Sequence, residues 1–270
     1  MAQYKAAGID QKVVAATIHN TLSELEDFAA SYTQEFQAPI NGQKTSTVVI
    51  RKRPTVTLAA MPANRDGLLP RTSAASTSVE ITLTDDDYFK VAVDTQEVEA
   101  GKMSVELGQA GARAIVAAGN AQLLATLEAR GTEVEFVGDA TDGQAVWTNL
   151  VGMVTTFQEA GIDSTGLILE IKPKVWATII TDIATLRSAQ DPREVAKTLL
   201  GVARVRVANL PSAKAVLSHP DAAAQARVLS GIRSGMEDFD EIVEGRVKLG
   251  TEVLEPAAVL VLVAPAPATV

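Results

Sequence analysis

Ser218 and His219 stand side by side in KAVLSHPD, a hydroxyl next to an imidazole, the two groups that nucleophilic acyl transfer needs. The flanking residues read as a strand, whose successive side chains point to opposite faces, so the two cannot meet over one substrate by themselves. The glycines of GQAGARAIVAAG, from Gly108 to Gly119, resemble a phosphate-binding loop in composition. They fall inside a helical pattern, away from any strand-to-helix turn, and no Lys-Ser or Lys-Thr follows, which assigns them to helix packing. Asp85, Asp86 and Asp87 offer three carboxylates to a divalent cation, yet successive strand residues diverge and no oxygen-rich loop surrounds them. The chain has no cysteine and only two histidines, His19 and His219, far apart in sequence. Disulfides, thiolate ligands and cysteine nucleophiles are excluded, and a transition-metal site has almost nothing to be built from. These residues predict no catalytic, cofactor-binding or metal-binding constellation.

Charge suits contact between chains better than chemistry. TVVIRKRPTVTLAA, residues 47–60, puts Val48, Ile50, Val56 and Leu58 on one parity, and SVEITLTDDDYFKVAVD, residues 78–94, does the same with Val79, Ile81, Leu83, Phe89, Val91 and Val93. Alternation of this kind is the signature of a strand with one covered face. The two runs read as arms of one hairpin, each about 14 residues or roughly 45 Å long. Antiparallel pairing around the loop sets Lys52 near Asp85 and Arg51 near Asp86, at roughly 0.2 to 1 kcal/mol for each cross-strand pair. Such charges either hold the ribbon together or reach a neighbouring chain. Arg51, Lys52, Arg53, Arg65, Arg71, Asp85, Asp86 and Asp87 are therefore the candidate inter-subunit contacts. Between the arms lies MPANRDGLLPRTSAASTS, with no core of its own. Loops this long are functional or disordered, and a two-stranded ribbon alone is marginal in water. A second copy of the chain would supply the missing surface.

The remaining elements must position that ribbon. Residues 10–36 carry Val14, Ile18, Leu22, Leu25, Phe28, Ala29, Tyr32 and Phe36 at helical spacing, with Asp10 as cap, and form either a detached arm or an ordinary first helix on its own domain. A long helix is expected from Asp94 and Glu97 to near Gly131, about 34 residues or roughly 50 Å. Met103, Leu107, Ala110, Ala114, Ala117, Ala121 and Leu124 trace its expected inner face. Gly101, Gly108, Gly111 and Gly119 each weaken it by about 1 kcal/mol relative to Ala, which implies a bend or a close backbone contact. Residues 143–229 alternate as helix GQAVWTNLVGMVTTFQEAG, strand TGLILEI, helix PKVWATIITDIATL, strands GVARVRVANL and AKAVLSH, and helix DAAAQARVL. The closing MEDFDEIVEGRVKLGTEVLEPAAVLVLVAP returns to strands that pack under the long helix. The fold class is α+β.

With 270 residues, 47% hydrophobic and only 4% aromatic, the core must rest on close packing of Ala, Val, Ile and Leu. The net charge of -9 opposes general attraction to nucleic acid or an anionic membrane. The N-terminus lacks the basic start and apolar core of a signal peptide. The run AAVLVLVA is far short of the ~20 residues that span a bilayer, and no repeat is visible.

The order of elements resembles the tailed-bacteriophage major capsid proteins with the Hong Kong 97-type fold, over nearly the whole chain. The resemblance is carried by the N-terminal helix, the hairpin TSTVVIRKRPTVTL with VEITLTDDDYFKVAVD, the helix from about Glu97, LILEIKPKVWATIITDIATL, VARVRVANLP with KAVLSHPDAAAQA, and GRVKLGTEVLEPAAVLVLVA. It implies an N-terminal arm (1–44), an extended loop (45–94), a P domain with its spine helix (95–142), an A domain (143–229), and P-domain strands with a C-terminal tail (230–270). It also implies self-assembly as pentamers and hexamers into an icosahedral shell around double-stranded DNA, without sequence-specific binding and without a membrane. Such a shell is assembled in a bacterial cytoplasm, with scaffolding, portal and decoration proteins as further partners; no fused scaffolding segment is evident. An encapsulin-type compartment shares the fold, and residues 143–229 as an α/β enzyme with the hairpin as lid is the alternative from another class.

Some relatives link the extended loop to a neighbour through a lysine. No lysine lies between Thr55 and Phe89 here, so assembled particles should dissolve to single chains on boiling in denaturant. A ladder of cross-linked bands on a denaturing gel would contradict this.

Overall fold

The computed structural model describes residues 11–32, 47–51, 78–93, 100–139, 141–162, 164–237 and 240–264. They form two bodies joined along one long helix. The first body is a five-stranded mixed sheet built from β4 (Thr132–Glu135), β5 (Ile168–Ile171), β6 (Arg204–Val207), β7 (Ala215–Ser218) and β10 (Val259–Val263), in the order β4-β10-β7-β5-β6. All four residues of β5 and all four of β7 are buried, the pattern of strands covered on both faces. The covering helices include α3 (Gly143–Glu159), whose Val146, Leu150, Met153, Val154 and Phe157 are buried. The parallel pair β5–β6 is connected through α4 (Pro173–Asp182), α5 (Ala184–Arg187) and α6 (Pro192–Leu200). Asp142 and Asp191 cap α3 and α6 with side-chain oxygens, and α6 stops at Gly201 in the left-handed region (φ 67°), as unpaired helix-end amides and carbonyls require.

The second body is the spine, α2 (Ala100–Arg130), flanked by α1 (Gln11–Glu24) and by a three-stranded antiparallel sheet of β3 (Thr84–Val93), β9 (Asp240–Val253) and β8 (Ala223–Glu237), in the order β3-β9-β8. At about 1.5 Å per residue α2 is roughly 46 Å long. Val14 and Ile18 of α1 are fully buried in a cluster with Leu107, Ala112 and Ile115 of α2 and Val243, Val247 and Leu249 of β9. The C-terminal end of α2 enters the first body through Leu123, Leu124 and Leu127. A small two-stranded ribbon, β1 (Thr47–Arg51) with β2 (Ser78–Thr82), stands on this body.

Several expectations are corrected. The helix expected over 10–36 ends at Glu24, and after a break the chain makes a short 3-10 turn at Phe28–Ser31. DAAAQARVL begins β8 and is no helix: alanine favours helix intrinsically, but Ala223, Ala224 and Ala226 are squeezed beneath other elements and paired residue for residue with β9, and tertiary pairing overrides propensity. The strand AAVLVLV does not join the β8–β9 sheet. It becomes β10, inside the five-stranded sheet, while still touching the end of α2. The helix α6 was not expected, although its cap Asp191, first-turn Pro192 and terminal Gly201 are all visible in DPREVAKTLLG.

The inner face of α2 is also rotated from the expected one. Ala110, Ala114, Ala117 and Ala121 are exposed, and the buried positions among the described side chains are Ser104, Leu107, Gly108, Gly111, Ala112, Ile115, Val116, Gly119, Leu123, Leu124 and Leu127. The glycines mark close contacts on that face. A Cβ on Gly108 would lie 2.7 Å from Thr17 Cβ and 3.0 Å from the Val14 carbonyl of α1, and one on Gly119 would lie 2.7 Å from an Arg227 nitrogen. Gly152, on the exposed side of α3, has nothing within 4 Å.

The two sites should respond oppositely to alanine. Gly108→Ala gains about 1 kcal/mol of helix propensity but must displace α1, for a net loss of about 1 to 3 kcal/mol. Gly152→Ala keeps the gain of about 0.5 to 1 kcal/mol. Denaturant unfolding of the two variants checks the signs; a stabilised Gly108→Ala would show that α1 does not pack closely on the spine.

Candidate functional site

Among the described residues no group of His, Asp or Glu is arranged to hold a metal ion, and no helix is long and apolar enough to cross a membrane. Ser218 is buried on β7 and shares a 2.7 Å hydrogen bond with the Tyr32 hydroxyl, while the His219 Nδ1 accepts from the Asp221 amide at 3.2 Å. The pair is divided between two structural tasks, as the strand geometry predicts. Two other features remain as sites: the root of the ribbon and a polar clamp on the N-terminal segment.

The ribbon root pairs in a different register from the one the sequence suggests. Thr47 faces Thr82, Ile50 faces Val79 and Arg51 faces Ser78. The expected pairing of Arg51 with Asp86 is therefore not made. The second arm divides at Leu83: residues up to Thr82 belong to the ribbon, and Thr84–Val93 pairs with β9, where Asp87 faces Val247 and Val93 faces Glu241. Asp85, Asp86 and Asp87 thus lie in β3, beside β9. The alternating pattern hides this break: Ile81 and Leu83 are buried in the ribbon root, Phe89 beyond it packs against the spine cluster, and Val91, expected on the same covered side, is exposed. Lys52, Arg53, Arg65 and Arg71 lie outside the described residues, as do the side chains of Arg51 and the three aspartates.

The root does not stand alone. Val48, Ile50, Ile81 and Leu83, each at most 3% exposed, form one cluster with Ala224 and Ala226 of β8 and Leu254. The approach is close enough to require Gly250 on β9: a Cβ there would lie 2.6 Å from the Thr82 carbonyl oxygen and 2.8 Å from the Ile81 side chain. The ribbon is anchored in its own body, and residues 52–77 connect its two strands. On the flank of the same body, a groove of about 180 Å³ opens between Tyr88 and Phe89 of β3, Ala114, Ile115 and Ala118 of α2, and Val247 and Leu249 of β9. Tyr88 beside it is 69% exposed, an apolar body left in water.

The clamp holds Glu26 to Tyr32. Asp27 caps the 3-10 turn through the Ala29 amide and pairs with Arg227 of β8 at 3.1 Å. Asn120 of α2 accepts from the Phe28 amide at 3.0 Å and donates to the Glu26 carbonyl at 3.1 Å. On the other side, the Tyr32 hydroxyl lies 3.1 Å from Glu170 Oε1 on β5, and Ser31 Oγ accepts from Arg204 at 2.8 Å and from Arg206 at 2.5 Å on β6. The Arg206 guanidinium sits over the Phe28 ring, 4.7 Å from its centroid. Glu170 is fully buried, and burial pushes its carboxyl up to about 7 despite the Arg206 charge 3.8 Å away. Burial, then the Glu170 charge, drives the Tyr32 hydroxyl well above its ordinary range. Sequence reasoning placed Tyr32 on a helix face and read no partner for Glu170. The one signal in the sequence is a Glu inside the otherwise apolar run LILEI; that RVRV lies on the neighbouring strand is seen only in the fold.

No protein-family profile matches the chain, and no curated protein matches it in sequence. Solved structures do. The structure described as Mycobacterium phage Che8 superposes with a TM-score of 0.59 at 18% identity, over 82% of this chain and 85% of that one. The capsid of the cyanophage P-SCSP1u gives 0.57 at 13% identity, over 83% and 84%. A virus-like particle from Pyrococcus furiosus gives 0.57 at 14% identity, over 93% and 98%. The chain has the α+β, Hong Kong 97-type fold of tailed-phage major capsid proteins.

Gly250→Ala should lift the ribbon root from β9 and cost about 1 to 3 kcal/mol, with faster proteolytic cutting near Arg51 and Ser78. Unchanged stability and cutting would mean that the root is not seated on its own body.

Proposed function

We propose that the chain is a major capsid protein that assembles with copies of itself, as pentamers and hexamers, into the icosahedral shell enclosing the double-stranded DNA of a tailed bacteriophage. The observation that carries the reading is the ribbon: its root is fixed in a two-body fold shared with capsid proteins, and residues 52–77, which include Pro62, Pro70 and SAAST, must cross from one strand of that root to the other. A ribbon end without its own apolar set gains cover on an adjoining copy, and Arg51, Lys52, Arg53, Arg65 and Arg71 on one side with Asp85, Asp86 and Asp87 on the other are the charges assigned to that contact. The groove beside the exposed Tyr88 is the matching apolar surface. Individually weak contacts suffice, because a closed lattice forms many together. In the assembly, residues 1–44 act as the N-terminal arm, 45–94 as the extended loop, 95–142 and 230–270 as the P domain, and 143–229 as the A domain. Portal, scaffolding and decoration proteins are the further partners, and the virion capsid is the location.

A second reading is kept because of one observation: the virus-like particle from Pyrococcus furiosus is matched over more of both chains than the phage capsids are. On that reading the shell encloses protein cargo.

Negative-stain microscopy of the protein expressed alone should show shells, tubes or capsomers. Removing residues 62–77 should leave a folded chain that forms none of them. A deletion variant that still builds shells, or an intact chain that stays monomeric when concentrated, would overturn the shell reading; nuclease-protected DNA against co-purifying protein in the particles separates the two cargoes.

A further inference from the structure

In the clamp on residues 26–32 a single short segment is tied to both bodies at once. Arg227 of β8 and Asn120 of α2 hold it from the spine body, and Glu170 of β5, Arg204 and Arg206 of β6 and Ser218 of β7 hold it from the five-stranded sheet. These side chains are contributed by five different elements, so the segment cannot leave without freeing the two bodies from one another at this point.

The sheet side of the clamp is built around an imperfectly matched charge. Glu170 accepts from Tyr32 on Oε1, while Oε2 has no hydrogen-bond partner, and neither has Nη1 of Arg206, itself nine-tenths buried. The groups facing the Glu170 carboxyl are the Tyr32 hydroxyl from the segment and the Arg206 guanidinium from β6; Arg206 is shared with Glu26 at 3.7 Å. A buried carboxylate with one hydrogen bond and a half-shared cation is costly when ionised and comfortable when protonated.

We propose that residues 26–32 form a pH-sensitive latch between the two bodies, closed when Glu170 is protonated and loosened when it ionises. The direction follows from linkage. In the closed state the carboxyl holds its proton up to about 7, against an ordinary 4.5, so the folded state binds more protons across that interval. Closure is then most stable below it and weakens as pH rises through it. Opening the segment lets water reach Glu170, which is the state that ionisation favours. The latch lies within one chain and does not depend on the shell reading.

Hydrogen exchange of the full-length chain, corrected for the intrinsic rate, tests this at the amides of Phe28, Ala29 and Tyr32. Protection there should fall roughly 10-fold or more between about pH 5.5 and about pH 8, while the β5 and β7 amides keep theirs. Glu170→Gln, a neutral isostere that retains a hydrogen-bonding oxygen, should abolish the difference, and Tyr32→Phe should lower protection at both pH values. Infrared spectra of the unaltered protein should show a buried carboxylic acid band that disappears across the same range. A pH-independent segment, an unchanged pH effect in Glu170→Gln, or the absence of that band would each overturn the latch.

Discussion

A two-stranded ribbon has two faces and little else, and it persists only where something covers one of them. In this chain the cover at the root is internal: Val48, Ile50, Ile81 and Leu83 press on Ala224, Ala226 and Leu254, with Gly250 stripped of a side chain to let the strands approach. The small residues of β8 are there because the strand lies under the ribbon on one face and beneath the spine on the other, with Gln225 reaching the Gly119 carbonyl at 2.7 Å. The root is where residues 52–77 begin and end, and the proposed shell contact starts from this anchored pair of strands.

The same use of small side chains unites the rest of the fold. Gly108 brings α1 onto the spine, Gly119 makes room for Arg227 and Gln225, and Gly131 ends the helix where Val259 and Val261 of β10 crowd it. A core with few aromatic rings gains dispersion energy by approach distance instead of by ring area. The spine is thereby held on both bodies, and the polar clamp at Glu26 to Tyr32 adds a second joint beside it.

Much of this was legible in the sequence and some of it could not be. The α3, β5, α4, β6 and β7 succession follows from periodicity, a helix-starting proline and flanking turns, and the long spine from its length alone. The spine glycines predict a bend or a close contact, and close contact is what Gly108, Gly111 and Gly119 make. The inner face of α2 was misplaced because a stripe of alanines carries no size signal, so a seven-residue spacing fitted as well as the true one. DAAAQARVL was misread because its alanines answer to burial between layers, which a single sequence does not display. The break of the long arm at Leu83 and the partners of Glu170 are both non-local: one is a change of neighbouring strand, the other a meeting of Glu170 with Tyr32, 138 positions away, and with Arg206 on the adjacent strand. The divergence of Ser218 and His219 was legible from strand alternation, and the two side chains turn to separate partners.

The central claim is that the ribbon is rooted in its own chain and completed by another. A cryo-electron microscopy reconstruction of the assembled particle, with residues 52–77 traced, tests it most directly. The account predicts that these residues run from Arg51 and Ser78 onto an adjoining copy, near Tyr88 and the groove beside the spine. Residues 52–77 folded back over the β8–β9 sheet of the chain that carries them, with no second copy touching them, would contradict it.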